Sequence, residues 1–192
     1  MNTKQENTMM IFNCCPHCKK EDSIEYKEPG HWVCFNCGFD LYNNVAAAVG
    51  LIILTENNHI LFEVRAKEPR KGFLALPGGF VDKDESAEHA VIRECKEEIG
   101  LEPDSTSFIC TSPNTYCYKN IEYKTCDMFF VATFSNKDFL QNMKLQKSEV
   151  TEIRFEKIET ETDIDKLPLA FDSAKIALKI FLKKYLNKNR IH

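Results

Sequence analysis

The sequence predicts an α/β protein in which a small cysteine-rich module precedes a larger domain. Between residues 45 and 188, apolar runs of strand length alternate with segments of helical periodicity, which is typical of helices packed on a sheet. Residues 12–40 contain two Cys-x-x-Cys pairs, many turn residues and little helical periodicity. The polar segment Tyr42-Asn43-Asn44 separates these stretches, so we expect a module over 12–40 and a domain over 45–188.

The elements of the larger domain follow from local patterns. Val45–Thr55 is a continuous run rich in Val, Ile and Ala, and Ile60–Arg65 is a second apolar run after a turn. These two runs predict a β-hairpin. Ser86–Ile99 has helical periodicity and is followed by Gly100, a residue that commonly ends helices. Further strands are predicted near Thr106–Cys110, Tyr123–Phe134 and Val150–Phe155, and a last helix over Phe171–Leu186.

Composition excludes some functional classes. The chain of 192 residues has a formal net charge of -4 and a sequence pI near 5.8, so general attraction to nucleic acid is not expected. No run of about 18 apolar residues is present, so no membrane span is expected. The polar start Met1–Asn7 lacks the apolar core of a secretory signal. We therefore expect a cytoplasmic protein without a membrane partner.

Three glutamates occupy one face of the predicted helix over Ser86–Ile99. Glu94, Glu97 and Glu98 stand at positions i, i+3 and i+4, so their carboxylates emerge within one turn. Such like charges repel each other, and a hard divalent cation such as Mg²⁺ removes that repulsion. The alternative is a solvated acidic face, which is the usual meaning of a glutamate run. The preceding Pro77-Gly78-Gly79 favours the metal site, because glycine lets the backbone pass close to a ligand.

The segment from Gly79 to Leu101 resembles the Nudix box, the signature of the Nudix hydrolase family. The matching positions are Gly79, Glu85, Arg93, Glu94, Glu97, Glu98 and Gly100. Cys95 stands where the family usually has an aliphatic residue, and a buried cysteine behaves as a small apolar side chain. The resemblance covers about residues 45–188. It implies a mixed sheet in an α/β/α sandwich and hydrolysis of a diphosphate linkage in a nucleotide derivative.

The resemblance also assigns roles to these residues. It implies that Glu94, Glu97 and Glu98 bind Mg²⁺ or Mn²⁺, with the carbonyl of Gly79 as a further ligand. Glu85 and Arg93 are implied to pair and to shape the loop before the helix. The general base is either Glu94 or a glutamate outside the box, because family members differ on this point. Nudix enzymes are often dimers, so a homodimer is a further expectation.

Several residues outside the box are candidates for contacts with the substrate. Glu149 and Glu152 open a predicted strand and can reach the metal site, or they are ordinary surface glutamates. Tyr116 and Tyr118 lie on one side of a strand and can stack on a base or ribose, although core packing is the commoner role of such a pair. The candidates for phosphate binding, which can equally form a solvated basic loop, are Arg65, Lys67, Arg70 and Lys71.

Four cysteines have the spacing of a zinc site. Cys15-x-x-Cys18 and Cys34-x-x-Cys37 are separated by fifteen residues, which is typical of a four-cysteine zinc ribbon. A redox dithiol or two disulfides are the alternatives, and both are disfavoured in a cytosolic chain. Four sulfur ligands leave no open coordination position, so the zinc is expected to be structural.

The substrate is less well specified than the reaction. A zinc ribbon before a Nudix domain resembles the NADH pyrophosphatases, but their Ser-Gln-Pro-Trp element after the box is replaced here by Thr111–Tyr116. We therefore expect an ADP-ribose-like or dinucleotide substrate without a specific preference for NADH. The alternatives are a MutT-like nucleoside triphosphate pyrophosphohydrolase and a non-catalytic regulator that senses a nucleotide or associates with nucleic acid. The ribbon is not basic, which argues against nucleic acid as a partner.

Overall fold

The polypeptide folds as two units that meet in sequence between Asn44 and Val45. A computed structural model describes residues 12–28, 30–55, 58–119, 121–136 and 138–186. Over these residues, no helix has both the length and the apolar character needed to cross a membrane.

The first unit is a small antiparallel sheet. Its strands are β1 (Ile24–Lys27), β2 (His31–Cys34) and β3 (Asp40–Tyr42), in the order β1-β2-β3. Trp32 on the central strand is buried, and its ring lies 5.1 Å from the ring of Phe12 and 5.4 Å from that of Tyr26. This aromatic group is a small core, and a sheet of this size gains little stability from such a core alone.

The second unit contains two three-stranded sheets. The first has the order β4-β8-β7, in which β4 runs parallel to β8 and β8 runs antiparallel to β7. The second has the order β6-β5-β9 and is antiparallel. The bounds are β4 (Ala46–Ile52), β5 (His59–Arg65), β6 (Leu74–Ala75), β7 (Ser105–Tyr118), β8 (Ile121–Thr133) and β9 (Val150–Lys157).

Within the residues that the structure describes, three α-helices accompany these sheets. Helix α1 (Ala87–Ile99) begins after Ser86, whose hydroxyl accepts a hydrogen bond from the His89 amide, and ends at Gly100 in the left-handed conformation. The sequence predicted this helix correctly. The others are α2 (Glu161–Lys166), which a Thr160–Asp163 capping box precedes, and α3 (Asp172–Phe181), which continues into a π-helical turn over Leu182–Leu186.

The core forms two layers, one on each side of strands β4 and β5. Leu51 and Leu61 pack in one layer with the buried residues of α1, whereas Phe62 packs in the other with those of α3. Successive side chains of a strand point to opposite faces, so both faces of these strands are covered. Each fully buried leucine or phenylalanine contributes about 1.5–3 kcal/mol. The predicted arrangement of sheets between helices on both sides is confirmed.

The predicted hairpin between the first two apolar runs is wrong beyond its tip. Near the tip, Leu54 and Ile60 form a bridge, the Leu61 amide donates to the Ile53 carbonyl, and the Thr55 amide donates to the His59 carbonyl. Strand β4 pairs instead with the distant β8, and β5 pairs with β6 and β9. Because both runs are buried on both faces, their composition does not reveal which strand each one joins.

Candidate active site

A cleft of about 620 Å³ collects the glutamates of α1 and the glycine loop before it. Glu94, Glu97 and Glu98 all line this cleft, together with Gly78 and Gly79. The helical spacing predicted a shared face for the three glutamates, and the Nudix resemblance implied that Gly79 lies beside them. Strands β7 and β8 and the start of α3 contribute a further part of the lining, namely Asn114, Tyr116, Tyr118, Thr125, Asp127, Phe129, Phe171 and Ser173.

Glu98 is the buried member of the three glutamates. Its side chain accepts a hydrogen bond of 2.7 Å from the Gly78 amide, and the residue is 7% exposed. Burial, with the nearby negative charges of Glu94 and Glu149, raises the pKa of Glu98 to about 8. A carboxylate with this pKa holds a proton near neutral pH unless a cation stabilises its charge.

Glu63 on β5 lies against Glu98 and was not predicted. It is 4% exposed, and its Oε1 atom has no hydrogen-bond partner. Burial and the charge of Glu98 raise the pKa of Glu63 well above its usual value. The missed signal is an acidic residue within His-Ile-Leu-Phe-Glu-Val-Arg, a strand whose interior is otherwise apolar.

Arg93 connects the loop before α1 to the glutamates. Its guanidinium donates to both carboxylate oxygens of Glu85 at 3.0 Å, and also to Glu94 at 2.8 Å and Glu97 at 3.3 Å. It further donates to the Phe80 carbonyl at 3.1 Å. The hydrogen bonds from Arg93 hold the pKa of Glu85 below its usual value. This two-pronged pair fixes the loop on the helix, because the planar guanidinium matches a carboxylate in one orientation.

The two glycines are required by close approaches of the chain. A Cβ atom on Gly78 would lie 2.1 Å from the Val49 carbonyl oxygen, and the φ of Gly78 is +151°. A Cβ on Gly79 would lie 2.5 Å from the Glu94 Oε1 atom. The Gly79 carbonyl accepts a hydrogen bond of 2.8 Å from the Val49 amide, which leaves it one further lone pair.

The predicted substrate contacts divide into two groups. Arg65, Lys67, Tyr116, Tyr118 and Glu149 line the cleft. Lys67 and Glu149 form an ion pair of 2.5 Å.

Three other predicted residues do not line the cleft: Arg70, Lys71 and Glu152. The guanidinium of Arg70 lies 5.6 Å from the Phe73 ring, and Glu152 pairs with Arg154. Glu149 and Glu152 differ in position because β9 begins at Val150: Glu149 lies before the strand, and Glu152 lies within it.

The glutamates fit a divalent cation by their chemistry. They offer hard oxygen ligands beside a backbone carbonyl, and Glu97 and Glu149 raise the pKa of Glu94 further after burial has raised it. A cation would neutralise this crowded negative charge. In the described residues, the only group of three or more acidic, cysteine or histidine residues whose ligand atoms all lie within 4.8 Å of one another is formed by cysteines. The glutamates are therefore adjacent without being gathered around a point.

The four predicted cysteines do converge on a point. Their sulfurs all lie within 4.8 Å of one another, and the pairs Cys15–Cys37 and Cys18–Cys34 are each 3.8 Å apart. Four ligands in a tetrahedron around zinc, each at about 2.3 Å, have edges of about 3.8 Å. A hydrogen bond with Ser23 lowers the pKa of Cys34 to about 6, which favours the thiolate that binds metal.

The family model described as the NUDIX domain matches residues 45–178. The chain belongs to the Nudix family. Among curated Nudix relatives, the ADP-ribose pyrophosphatase of Methanocaldococcus jannaschii is 48% identical over 71 residues, which cover 37% of this chain and 41% of that protein. The NAD-capped RNA hydrolase NudC of Pseudomonas aeruginosa is 31% identical over 78 residues, covering 40% of this chain and 27% of NudC. This chain thus spans less than half the length of these two relatives.

Solved structures of Nudix proteins share the fold. A Nudix hydrolase from Nitrosomonas europaea superposes with a TM-score of 0.60 at 20% identity, covering 92% of this chain and 93% of that one. The Nudix domain of Shewanella oneidensis NrtR, complexed with ADP ribose, superposes with a TM-score of 0.56 at 23% identity. It covers 78% of this chain and 90% of that domain. The Nudix fold predicted from the sequence is confirmed.

Alanine substitutions at the two glycines should have different effects. Gly79→Ala places a methyl group against the flexible end of Glu94, so the fold should persist while divalent-metal affinity falls about tenfold or more. Gly78→Ala places it against the backbone of β4 and should lower the free energy of unfolding by about 2 kcal/mol or more. Thermal unfolding and Mn²⁺ titration of both variants test this contrast, which equal unfolding temperatures would contradict.

The stability of the domain should depend on pH when no divalent metal is added. The pKa of Glu98 is about 8 in the folded state, against about 4.5 for a glutamate in water, so the associated stability is complete below about pH 4.5 and is lost as the pH rises through 8. Chemical unfolding followed by circular dichroism, on zinc-loaded protein without Mg²⁺, should reveal this loss. The Glu63→Gln, Glu98→Gln double variant should flatten the slope, and an unchanged slope would refute the assignment to this pair.

Proposed function

We propose that this chain is a divalent-metal-dependent Nudix hydrolase that cleaves the diphosphate linkage of a nucleoside diphosphate derivative. The observation that carries the proposal is the shared cleft of Glu94, Glu97, Glu98 and the Gly78–Gly79 loop. An ADP-ribose-like or dinucleotide substrate is favoured, because the archaeal relative described above is an ADP-ribose pyrophosphatase. The match covers 41% of that relative, so its substrate is assigned to this chain only as a proposal.

Glu94, Glu97 and Glu98, with the Gly79 carbonyl, are proposed to hold Mg²⁺ or Mn²⁺. When bound, the cation would neutralise the negative charge of the phosphate oxygens and lower the pKa of the attacking water. Glu85 and Arg93 act by position, since their paired hydrogen bonds keep the loop of Gly79 beside the helix. These five side chains form the proposed catalytic set of the domain.

The reaction itself is an attack of water on one phosphorus of the diphosphate. A new phosphorus–oxygen bond forms, the bond to the bridging oxygen breaks, and the leaving phosphate departs with that oxygen. The water proton passes to a carboxylate. Glu94 suits this role because burial raises its pKa, and a base works best with a pKa near the working pH. Glu149 is the alternative base outside the box, and it lines the same cleft.

The remaining lining is proposed to bind the rest of the substrate. Arg65 and Lys67 provide positive charge for phosphates, and Tyr116 and Tyr118 provide aromatic surface for a base or ribose. Arg70 and Lys71 are left out of the proposed phosphate site and Glu152 out of the proposed metal site, because none of the three lines the cleft.

Residues 12–40 are proposed as a zinc ribbon and residues 45–188 as the Nudix domain. The zinc is structural in this proposal, since the sulfurs of Cys15, Cys18, Cys34 and Cys37 fill a tetrahedral site. Nine cysteines without a disulfide suit a reducing compartment, so we propose a cytoplasmic location. A homodimer stays a prediction from the family.

Purified protein with Mg²⁺ or Mn²⁺ should hydrolyse at least one nucleoside diphosphate derivative. The panel is ADP-ribose, NADH, diadenosine polyphosphates, nucleotide sugars and nucleoside triphosphates, with products separated by chromatography. Release of inorganic pyrophosphate from a triphosphate would favour the MutT-like alternative. No turnover of any compound by folded, zinc-loaded protein would favour the regulator.

Glu97→Gln is the matched test of the metal site in that assay. Loss of one carboxylate ligand should lower kcat/KM about 100-fold or more, because the cation contributes several kcal/mol of charge stabilisation. Glu88→Gln is the control, since Glu88 is exposed on the same helix and does not line the cleft. Equal activity of the two variants would contradict the proposed site.

The fluorescence of Trp32 provides a test of the zinc proposal. Trp32 is the only tryptophan of the chain and is 3% exposed within the cysteine-rich unit. Cys34→Ser should remove the single zinc measured by elemental analysis and shift the Trp32 emission to the red, because the unit depends on its metal for folding. Cys117→Ser alters an exposed cysteine outside the cluster and should change neither signal. Retention of zinc by Cys34→Ser would contradict the four-sulfur site.

A further inference from the structure

A second acidic group in the cleft, Asp127, is not explained by the metal site. It lies on β8 and lines the cleft although it is 8% exposed. Thr125 Oγ1 donates to one of its carboxylate oxygens at 2.6 Å, and Ser173 Oγ donates to the other at 2.6 Å. Both hydroxyls belong to buried residues. These two bonds fix the orientation of the carboxylate from two different elements of the fold.

The group presents only hydrogen-bond acceptors to the cleft. Thr125 and Ser173 use their protons on Asp127, so their oxygens retain only lone pairs. Each carboxylate oxygen also has capacity for another donor. No lysine or arginine lies within ion-pair distance of Asp127 in the described part of the chain. A buried carboxylate in this state gains from a ligand that brings N–H or O–H donors.

Small residues beside Asp127 leave room for such a ligand. In the sheet register, Asp127 lies opposite Ala48 of β4 and Ser112 of β7. Ala48 and Gly50 both line the cleft, and neither has a side chain long enough to cover the carboxylate. The hydrogen-bond acceptors of Asp127, Thr125 and Ser173 are thus part of the cleft lining.

Aromatic side chains in the same cleft suit a planar ligand. The Tyr116 ring lies 5.5 Å from the Phe80 ring and 5.8 Å from the Phe171 ring, measured between centroids. The Arg65 guanidinium lies 5.3 Å from the centroid of Phe171. All four residues line the cleft with Asp127. Aromatic rings and guanidinium planes of this kind stack on nucleobases.

We propose that Asp127, held by Thr125 and Ser173, accepts a hydrogen bond from the amino group of the substrate's nucleobase and selects bases that carry one. This inference rests on the proposed nucleotide substrate and deepens it. An adenine amino group donates to the carboxylate, whereas the carbonyl oxygen of hypoxanthine at the same ring position repels it. The site therefore distinguishes adenine from hypoxanthine, and cytosine from uracil, at the exocyclic group, because the ring N–H donor of hypoxanthine or uracil lies beside a carbonyl oxygen that the carboxylate repels.

The test is calorimetric binding to the full chain with Mg²⁺, and it needs no turnover. Wild-type protein should bind AMP about tenfold or more tightly than IMP, and CMP similarly more tightly than UMP, because a hydrogen bond to a buried charge is lost. Asp127→Asn should bring the AMP-to-IMP ratio of affinities close to one. Asp172→Asn should leave the ratio unchanged, since Asp172 is exposed and does not line the cleft.

Ser173→Ala keeps the carboxylate and removes one of its two orienting donors. It should lower the AMP-to-IMP ratio part of the way, and it provides a second variant if Asp127→Asn does not fold. Equal binding of AMP and IMP by the wild type, or an unchanged ratio in folded Asp127→Asn, overturns the inference.

A ribose hydroxyl is the rival donor for Asp127. A loss for 2′-deoxy-AMP that disappears in Asp127→Asn would assign the carboxylate to the ribose and overturn the base assignment. Base selectivity in a chain without turnover would leave this inference standing and the hydrolase proposal refuted. Turnover without base selectivity would do the reverse.

Discussion

The close approach of the Gly78–Gly79 backbone to both β4 and α1 is the constraint on which the rest of the domain depends. The Val49 and Leu51 amides donate to the Gly79 and Pro77 carbonyls at 2.8 Å, so the loop extends the sheet. On its other side, Gly78 donates to Glu98, and Gly79 leaves space for Glu94. A side chain at Gly78 would push the loop away from the backbone of β4, and one at Gly79 would displace the carboxylate of Glu94. The acidic face of α1 therefore meets the cleft because two residues have no side chain.

Buried charge is concentrated where the domain has its proposed chemistry. Glu63 lies against Glu98, which is part of the cleft lining, and Asp127 lies elsewhere in that lining. Moving a carboxylate out of water is costly unless hydrogen bonds or an opposite charge compensate it. Asp127 receives two hydroxyl donors, whereas Glu63 has an oxygen without a partner. The two hydroxyl donors stabilise the carboxylate of Asp127 in one orientation. The unpartnered oxygen of Glu63 is not stabilised in this way, and a cation near Glu98 would stabilise it.

The sequence predicted local features well and long-range pairing poorly. The ends of α1 follow from Ser86 and Gly100, and the box glutamates share a face because helix geometry is fixed. Strand β4 was assigned to the wrong partner, since its parallel pairing with β8 joins residues about eighty positions apart. Glu63 and Asp127 were missed for the same reason. Glu63 lies inside an apolar strand and Asp127 on a strand of mixed character, and only the folded structure places Glu63 against Glu98 and Asp127 in the cleft lining.

The two proposed metal sites differ in how far the protein shapes them in advance. The four cysteine sulfurs all lie within 4.8 Å of one another, and two of their separations, at 3.8 Å, match the edge of a zinc tetrahedron. The glutamates are held instead by Arg93 and by the Gly78 amide, and they do not converge to that degree. This difference suits the cations, because Mg²⁺ keeps several waters and is completed by substrate phosphates. On this proposal, zinc would contribute to the folding of the first unit, whereas the cation of the second unit would bind most firmly together with the substrate.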